Sequence, residues 1–289
     1  MSRKFLDAVY QGKNFWWIYL SVILTLIIYW SLLGRLTIDI FQFLLNLFHG
    51  DPAINAFVAG HLPFGIIMAL LWVAVTKLHG RGFLSLVNVE SSLQFQRLFW
   101  GFSIWGLQNL FFTGLDILAH PKDYQFTFEP SHWFLLLGLG VLLVPIQTSI
   151  EEFLYRGYLM QGLSLISRHP LVLIVVTSVA FAIPHLGNPE MERGFVWGAL
   201  SYFAWGVFFA LITLKDQGLE LALGAHAANN LFSFLGVNAP DSVLPTQALY
   251  TYVGTIHDRD SFFGVLTYGG IFYAIFFGGI PRHPKMPPS

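Results

Sequence analysis

Cysteine is absent from the 289-residue chain, which excludes disulfides, iron–sulfur clusters, cysteine-ligated zinc and thiol nucleophiles together. Charge is scarce as well: 11% of residues are Asp, Glu, Lys or Arg, against about 25% in an ordinary soluble domain. The 15 basic and 16 acidic residues nearly cancel, and no Lys/Arg-rich run occurs. The electrostatic footprint of a nucleic-acid binder is therefore missing, and nucleic acid is not an expected partner. No repeat of the kind that marks inverted-repeat transporters is visible.

What the chain has in abundance is apolar surface, with 55% hydrophobic and 17% aromatic residues. Stretches long enough to span a bilayer, roughly 17–25 residues each, fall near 15–34, 54–76, 98–118, 132–154, 170–187, 194–214, 219–237 and 262–280. The expected fold class is all-α, a polytopic transmembrane helix bundle of about eight spans, with the lipid bilayer as its solvent. It divides into an N-terminal transmembrane region (1–131), a core (132–237) and a last loop, final span and tail (238–289), one membrane domain overall. The first apolar segment is longer than a signal-peptide core of about 7–15 residues and has no small-x-small site after it, so an uncleaved first helix is expected. The segment Leu84 to Trp100 alternates apolar and polar residues, as an amphipathic helix lying on the membrane surface would, and an ordinary connecting helix fits it equally. His61, His79 and His120 read as interfacial, and the proline-rich tail 281–289 as frayed.

Orientation follows from the basic residues of alternating connections. One side collects Arg3, Lys4, Lys13, Lys77, Arg81, Arg97, Arg156, Arg168, Lys215, Arg282 and Lys285, the other Arg35, Lys122, Arg193 and Arg259. The bias places both termini of this multi-pass integral membrane protein in the cytoplasm.

Ionisable residues inside spans are costly and by default mark a functional site. Here they are Glu151, Glu152 and Arg156 near the end of the fourth span, His185 ending the fifth, and His226 inside the seventh. Glu152 and Arg156 are four apart with the acid N-terminal, the favoured orientation for a helical ion pair. Glu151 points about 100° away, so its own helix cannot neutralise it in the same manner, which leaves it available as a base. His226 and Asn230 share one helical face and can both donate towards one point, as an oxyanion hole requires. A hairpin turning near Ser167 puts Glu151 about 24 Å and His185 about 27 Å from the turn. His226 lies only about 10 Å from the start of its own span, so the hairpin must protrude or the helices must tilt for the three to meet.

Glu151-Glu152-x-x-x-Arg156, then Phe181-Ala182-Ile183-Pro184-His185, then His226-x-x-x-Asn230 resembles, in order and spacing, the motif set of the CPBP family. These are the CAAX proteases and bacteriocin-processing proteins, also called Abi proteins. The match covers about residues 149–236. The resemblance implies an intramembrane endopeptidase of the glutamate type, with no metal or other cofactor. It implies that Glu151 and His185 activate water, that His226 and Asn230 hold the oxyanion, and that Glu152 and Arg156 support the site. Its substrate would be a peptide or protein, prenylated where the processing is of the CAAX type. Pro184 is placed to break the fifth helix and open His185 to a cavity. Gly-x-Ser-Gly, Gly-x-Gly-Asp and His-Glu-x-x-His are missing, and with them the usual signatures of rhomboid-type, presenilin-type and site-two-type intramembrane proteases.

Other readings use the same residues. Glu152 and Arg156 serve equally as a structural ion pair, and His226 and Asn230 as packing glue between helices. Glu151, His185 and His226 would make three ligands of a catalytic zinc if their helices converged. A bacteriocin-immunity or peptide-binding membrane protein would need the cluster without the chemistry. Gln108, Asn109 and Asp116 in the third span are polar enough to line a cavity but lie outside the motifs. No oligomeric state follows from the residues.

Overall fold

The computed structural model describes residues 4–48 and 50–278; Arg3 and the tail 279–289, with Arg282 and Lys285, lie outside the described residues. Each of the eight expected spans falls on a helix among the described residues. Helices α1 (Trp16–Ile28) and α2 (Arg35–Asn46) join through a π-helical turn into one rod, Trp16–Asn46. This rod runs on through residues that the sequence reading gave to a connection. Arg35 and Asp39, four apart, pair at 2.9 Å on its exposed face, an arrangement that helix tolerates. Then follow α3 (Pro52–Val73), α4 (Phe95–Ala119), α5 (Pro130–Glu152), a π-helical turn at Phe153–Leu159 and α6 (Met160–Leu163). The chain ends with α7 (Pro170–Ala182), α8 (Phe195–Asp216), α9 (Glu220–Leu235) and α10 (Asp258–Phe277).

Six of these units are long and apolar enough to cross a membrane: Trp16–Asn46, Pro52–Leu78, Pro130–Leu163, Pro170–Gly187, Phe195–Asp216 and Asp258–Phe277. The remaining two, α4 and the 16-residue α9, pack on each other along their lengths. A Cβ on Gly101 of α4 would lie 2.6 Å from the Leu221 carbonyl oxygen, so only glycine allows this approach. Ala222, Gly224, Ala225, Ala227 and Ala228 complete a smooth α9 that is buried on nearly all sides. Three short strands, β1 (Tyr124–Phe126), β2 (Val237–Asn238) and β3 (Tyr250–Tyr252), form a small sheet in the order β1-β3-β2 at the end where α9 finishes.

Leu84 to Trp100 is not a surface helix. Leu86 and Val87 are fully buried beneath a short 3-10 turn, Phe83–Leu86. Asn88 then folds the chain by accepting from the Ser92 N–H at 3.3 Å and donating to Glu220 Oε1 at 2.6 Å. An Asx-type turn of this kind competes with helix, and α4 starts only at Phe95. Two of the three histidines read as interfacial, His61 and His79, are buried.

The depth problem posed by His226 is solved by the protruding hairpin. Gly157 packs against Leu86 and Leu219, the residue just before α9, so the rod of α5 and α6 continues six residues past the level where α9 begins. Glu152 then stands about 7.5 Å above that level and His226 about 10 Å above it. Arg156, which the charge count placed on a connection, is buried inside the bundle with no exposed surface.

Candidate functional site

Three helices carry the polar cluster. α5 contributes Gln147, Glu151 and Glu152, the π-helical turn after it Arg156, the end of α7 His185, and α9 His226, Asn229 and Asn230. A π-helical turn directly after the doublet fits the habit of such turns to occur at functional sites. Pro184 coincides with a change from α to 3-10 helix at Ile183, and His185 emerges half-buried.

Glu152 is fully buried, and its Oε1 accepts from two sides: Arg156 Nη1 at 3.0 Å and His226 Nδ1 at 2.8 Å. The guanidinium is held in turn by the Gly206 carbonyl, which accepts from Nη2 at 3.1 Å, and by the ring of Phe181, whose centroid lies 4.5 Å away. Gly206 is a glycine because a Cβ there would sit 2.7 Å from Ser178 of α7. The expected ion pair is thus present, and it also anchors the histidine. Phe209 stacks on the His226 ring at 4.7 Å and 20°, fixing its plane.

Glu151 is different. Its side chain keeps 12% exposure, and Oε2 lies 3.7 Å from His226 Nε2, longer than a hydrogen bond. Both atoms are therefore open to a third partner. Oε1 accepts from Gln147 Nε2. Gln147 Oε1 accepts from Asn230 Nδ2 at 3.0 Å, Asn230 Oδ1 from Asn229 Nδ2 at 3.2 Å, and Asn229 Oδ1 from Trp105 Nε1 at 3.2 Å. Trp105, Asn229, Asn230 and Gln147 thus form a chain of donors that runs one way and ends on the Glu151 carboxylate. The chain fixes which way each amide points and leaves one hydrogen of Asn230 Nδ2 unused.

His185 Nδ1 donates to the Phe181 carbonyl at 2.8 Å, and its ring stacks on Tyr202 at 4.3 Å. In the neutral ring this bond leaves Nε2 as an acceptor. Glu151 is within electrostatic reach of His185. Asn188 Nδ2 donates to the Tyr202 hydroxyl at 2.9 Å and braces the stack.

All six residues singled out from the sequence therefore belong to one cluster. The residues given no role from the sequence are Gln147, Asn229, Tyr202 and the aromatic walls Phe181, which the second motif contains, and Phe209. For Gln147 a signal existed, since it precedes Glu151 by four and so shares its helical face within an apolar run. No group of three or more His, Asp or Glu among the described residues is arranged to hold a metal ion. His226 turns Nδ1 to Glu152 and His185 turns Nδ1 to a carbonyl, so both rings present Nε2 to the site.

Residues 130–232 match the profile of the Rce1-like family, described as type II CAAX prenyl endopeptidase Rce1-like. Over 194 residues the chain is 32% identical to the uncharacterised protein YyaK of Bacillus subtilis (strain 168). That alignment covers 67% of this chain and 64% of the relative, so the chain spans a little under two thirds of that protein's length. No solved structure matches. Six candidate spans and this match describe a multi-pass integral membrane protein. The segment that carries all three motifs is the one that matches the Rce1-like family model, described as type II CAAX prenyl endopeptidase Rce1-like.

Proposed function

We propose that the protein is an intramembrane endopeptidase that hydrolyses a peptide bond in or near the bilayer with water activated by Glu151 and His185. The observation that carries this reading is the contrast within the doublet: Glu152 is fully buried with Oε1 committed to Arg156 and His226, while Glu151 keeps 12% exposure and its Oε2 faces His226 Nε2 across 3.7 Å, beyond hydrogen-bond reach.

Water held between Glu151 and His185 Nε2 gives its proton to the Glu151 carboxylate as its oxygen attacks the scissile carbonyl. The oxyanion accepts from the free hydrogen of Asn230 Nδ2 and from His226 Nε2. With Nδ1 committed to Glu152, His226 donates through Nε2 only as imidazolium, and Glu152 is the counter-charge for that form. Collapse of the tetrahedral intermediate breaks the C–N bond, and Glu151 returns the proton to the leaving amine. Glu152 and Arg156 orient the donors and touch no substrate.

The family match supports a CAAX-type substrate, a C-terminal peptide with a prenylated cysteine. Both termini are proposed to be cytoplasmic on the charge bias, Arg156 now excluded from it. Because the chain has no cysteine, a Ser167→Cys variant can be labelled in intact vesicles: modification from the side opposite the termini would overturn that orientation.

The test is hydrolysis of a quenched, farnesylated CAAX peptide by purified protein, with products mapped by mass spectrometry beside an unprenylated control. Cleavage after the prenylated cysteine is expected. An intact peptide after incubation with folded wild type would overturn the CAAX assignment.

A further inference from the structure

Two amide side chains in the interior of α4 are unaccounted for by the site. Gln108 and Asn109 are 7% and 5% exposed, and Gln108 Nε2, Gln108 Oε1 and Asn109 Nδ2 have no hydrogen-bond partner. Buried amide atoms that have given up water without replacement are unusual in folded proteins and call for an explanation.

Their position supplies one. Gly101 abuts Leu221, Gly106 lies against Ala228, and Trp105 Nε1 donates to Asn229, so α4 and α9 run parallel with this stripe of α4 turned to α9. Residues three and four beyond Trp105 continue the stripe. Gln108 and Asn109 are therefore level with Asn230, at the donor end of the chain that leads through Gln147 to Glu151.

We propose that Gln108 and Asn109 form a docking point for the main chain of a bound peptide. A peptide carbonyl accepts from Gln108 Nε2 or Asn109 Nδ2, and a peptide N–H donates to Gln108 Oε1. The free set contains donors and an acceptor and carries no charge. An anion would leave Oε1 unmatched and a cation would leave the N–H groups unmatched, whereas a peptide group supplies both halves. The inference rests on the reading that a peptide occupies the Glu151 site, and it holds whether or not that peptide is cut.

Single variants Gln108→Met and Asn109→Leu keep volume and remove the amide. Two measurements on full-length protein in detergent decide the matter: the melting temperature, and the Kd of a labelled farnesylated CAAX peptide in a Glu151→Gln background, read by fluorescence anisotropy. Removal of an orphaned buried amide should raise the melting temperature by roughly 2–4 °C per side chain, while loss of the docking point weakens peptide binding about tenfold. A lowered or unchanged melting temperature, or a Kd within about twofold of the parent, would overturn the proposal. If the wild type binds the peptide without cutting it, the hydrolysis reading fails, and the melting and binding data still decide the docking point.

Discussion

Two buried polar clusters hang from the same helical rod, Pro130–Leu163, and they are finished in opposite ways. In the lower one, His79 Nδ1 donates to the Lys13 carbonyl at 2.6 Å and Nε2 accepts from the Tyr158 hydroxyl at 2.9 Å. Arg81 Nη1 donates to the Ala8 carbonyl at 3.1 Å and to Gln161 Oε1 at 2.8 Å, and Gln161 Nε2 to the Ser85 carbonyl at 2.9 Å. That cluster contains no carboxylate. Its acceptors are largely backbone carbonyls, and the N-terminal 3-10 helix Phe5–Gln11 closes over it with Phe5, Ala8 and Val9 buried. The upper cluster is built from carboxylates, and one of them, Glu151, keeps partial exposure and an uncommitted oxygen, whereas the unpartnered Oε2 of Glu152 is buried. The lower cluster ties the N-terminus to the hairpin; the upper one, in the proposed reading, holds the group that activates water. Burial alone does not separate them, but the way each treats its acceptors does.

The comparison breaks most visibly at Arg156. Replacing it with Ala leaves Glu152 buried without its cation, which costs about 3–5 kcal/mol. A large drop in melting temperature is expected, with turnover lost alongside. An Arg156→Ala protein that melts like wild type would mean that the pair supports nothing.

Gln147 offers a finer cut. Gln147→Met keeps the volume but severs the link between Asn230 and Glu151. The account expects kcat to fall about tenfold with KM unchanged, because a positioning contact made in the transition state is removed. Unchanged kcat would remove Gln147 from the account.

The smallest effects belong to the lower cluster. Tyr158→Phe should cost about 1 kcal/mol and leave the kinetics of the folded enzyme alone; altered kcat would join the two clusters functionally. His79 adds a pH signature. Burial is the main cause that pushes its imidazole below the ordinary value of 6.5, Arg81 adds to that, and the Lys13 carbonyl opposes it. A depressed histidine stabilises the fold above the unfolded value and loses that contribution as pH falls through the folded one. The melting temperature of the wild type should therefore decline below about pH 6.5 more steeply than that of His79→Phe. Parallel curves would contradict this.

Hydropathy made the helices legible, since each expected span falls on a helix among the described residues, and the motif spacing picked out six residues that the fold brings close together. What escaped the sequence depends on neighbours distant in the chain. Alternation in Leu84–Trp100 suggested a surface helix because nothing local shows that Asn88 will clasp Glu220, 132 residues away. Arg35 and Asp39 looked like loop charges because their pairing across one turn appears only once the rod is built. Nothing in the sequence around Tyr202 and Phe209 sets them apart from the other aromatics of that span, and only the converged helices bring them onto the faces of His185 and His226. The protrusion of the hairpin, on which the meeting of Glu152 and His226 depends, is a tertiary property.

The most direct measurement is turnover of the farnesylated peptide by Glu151→Gln, taken together with its melting temperature. The account predicts that cleavage disappears while the melting temperature stays near that of wild type, because Glu151 is held for chemistry. Undiminished cleavage by a folded Glu151→Gln preparation would contradict it.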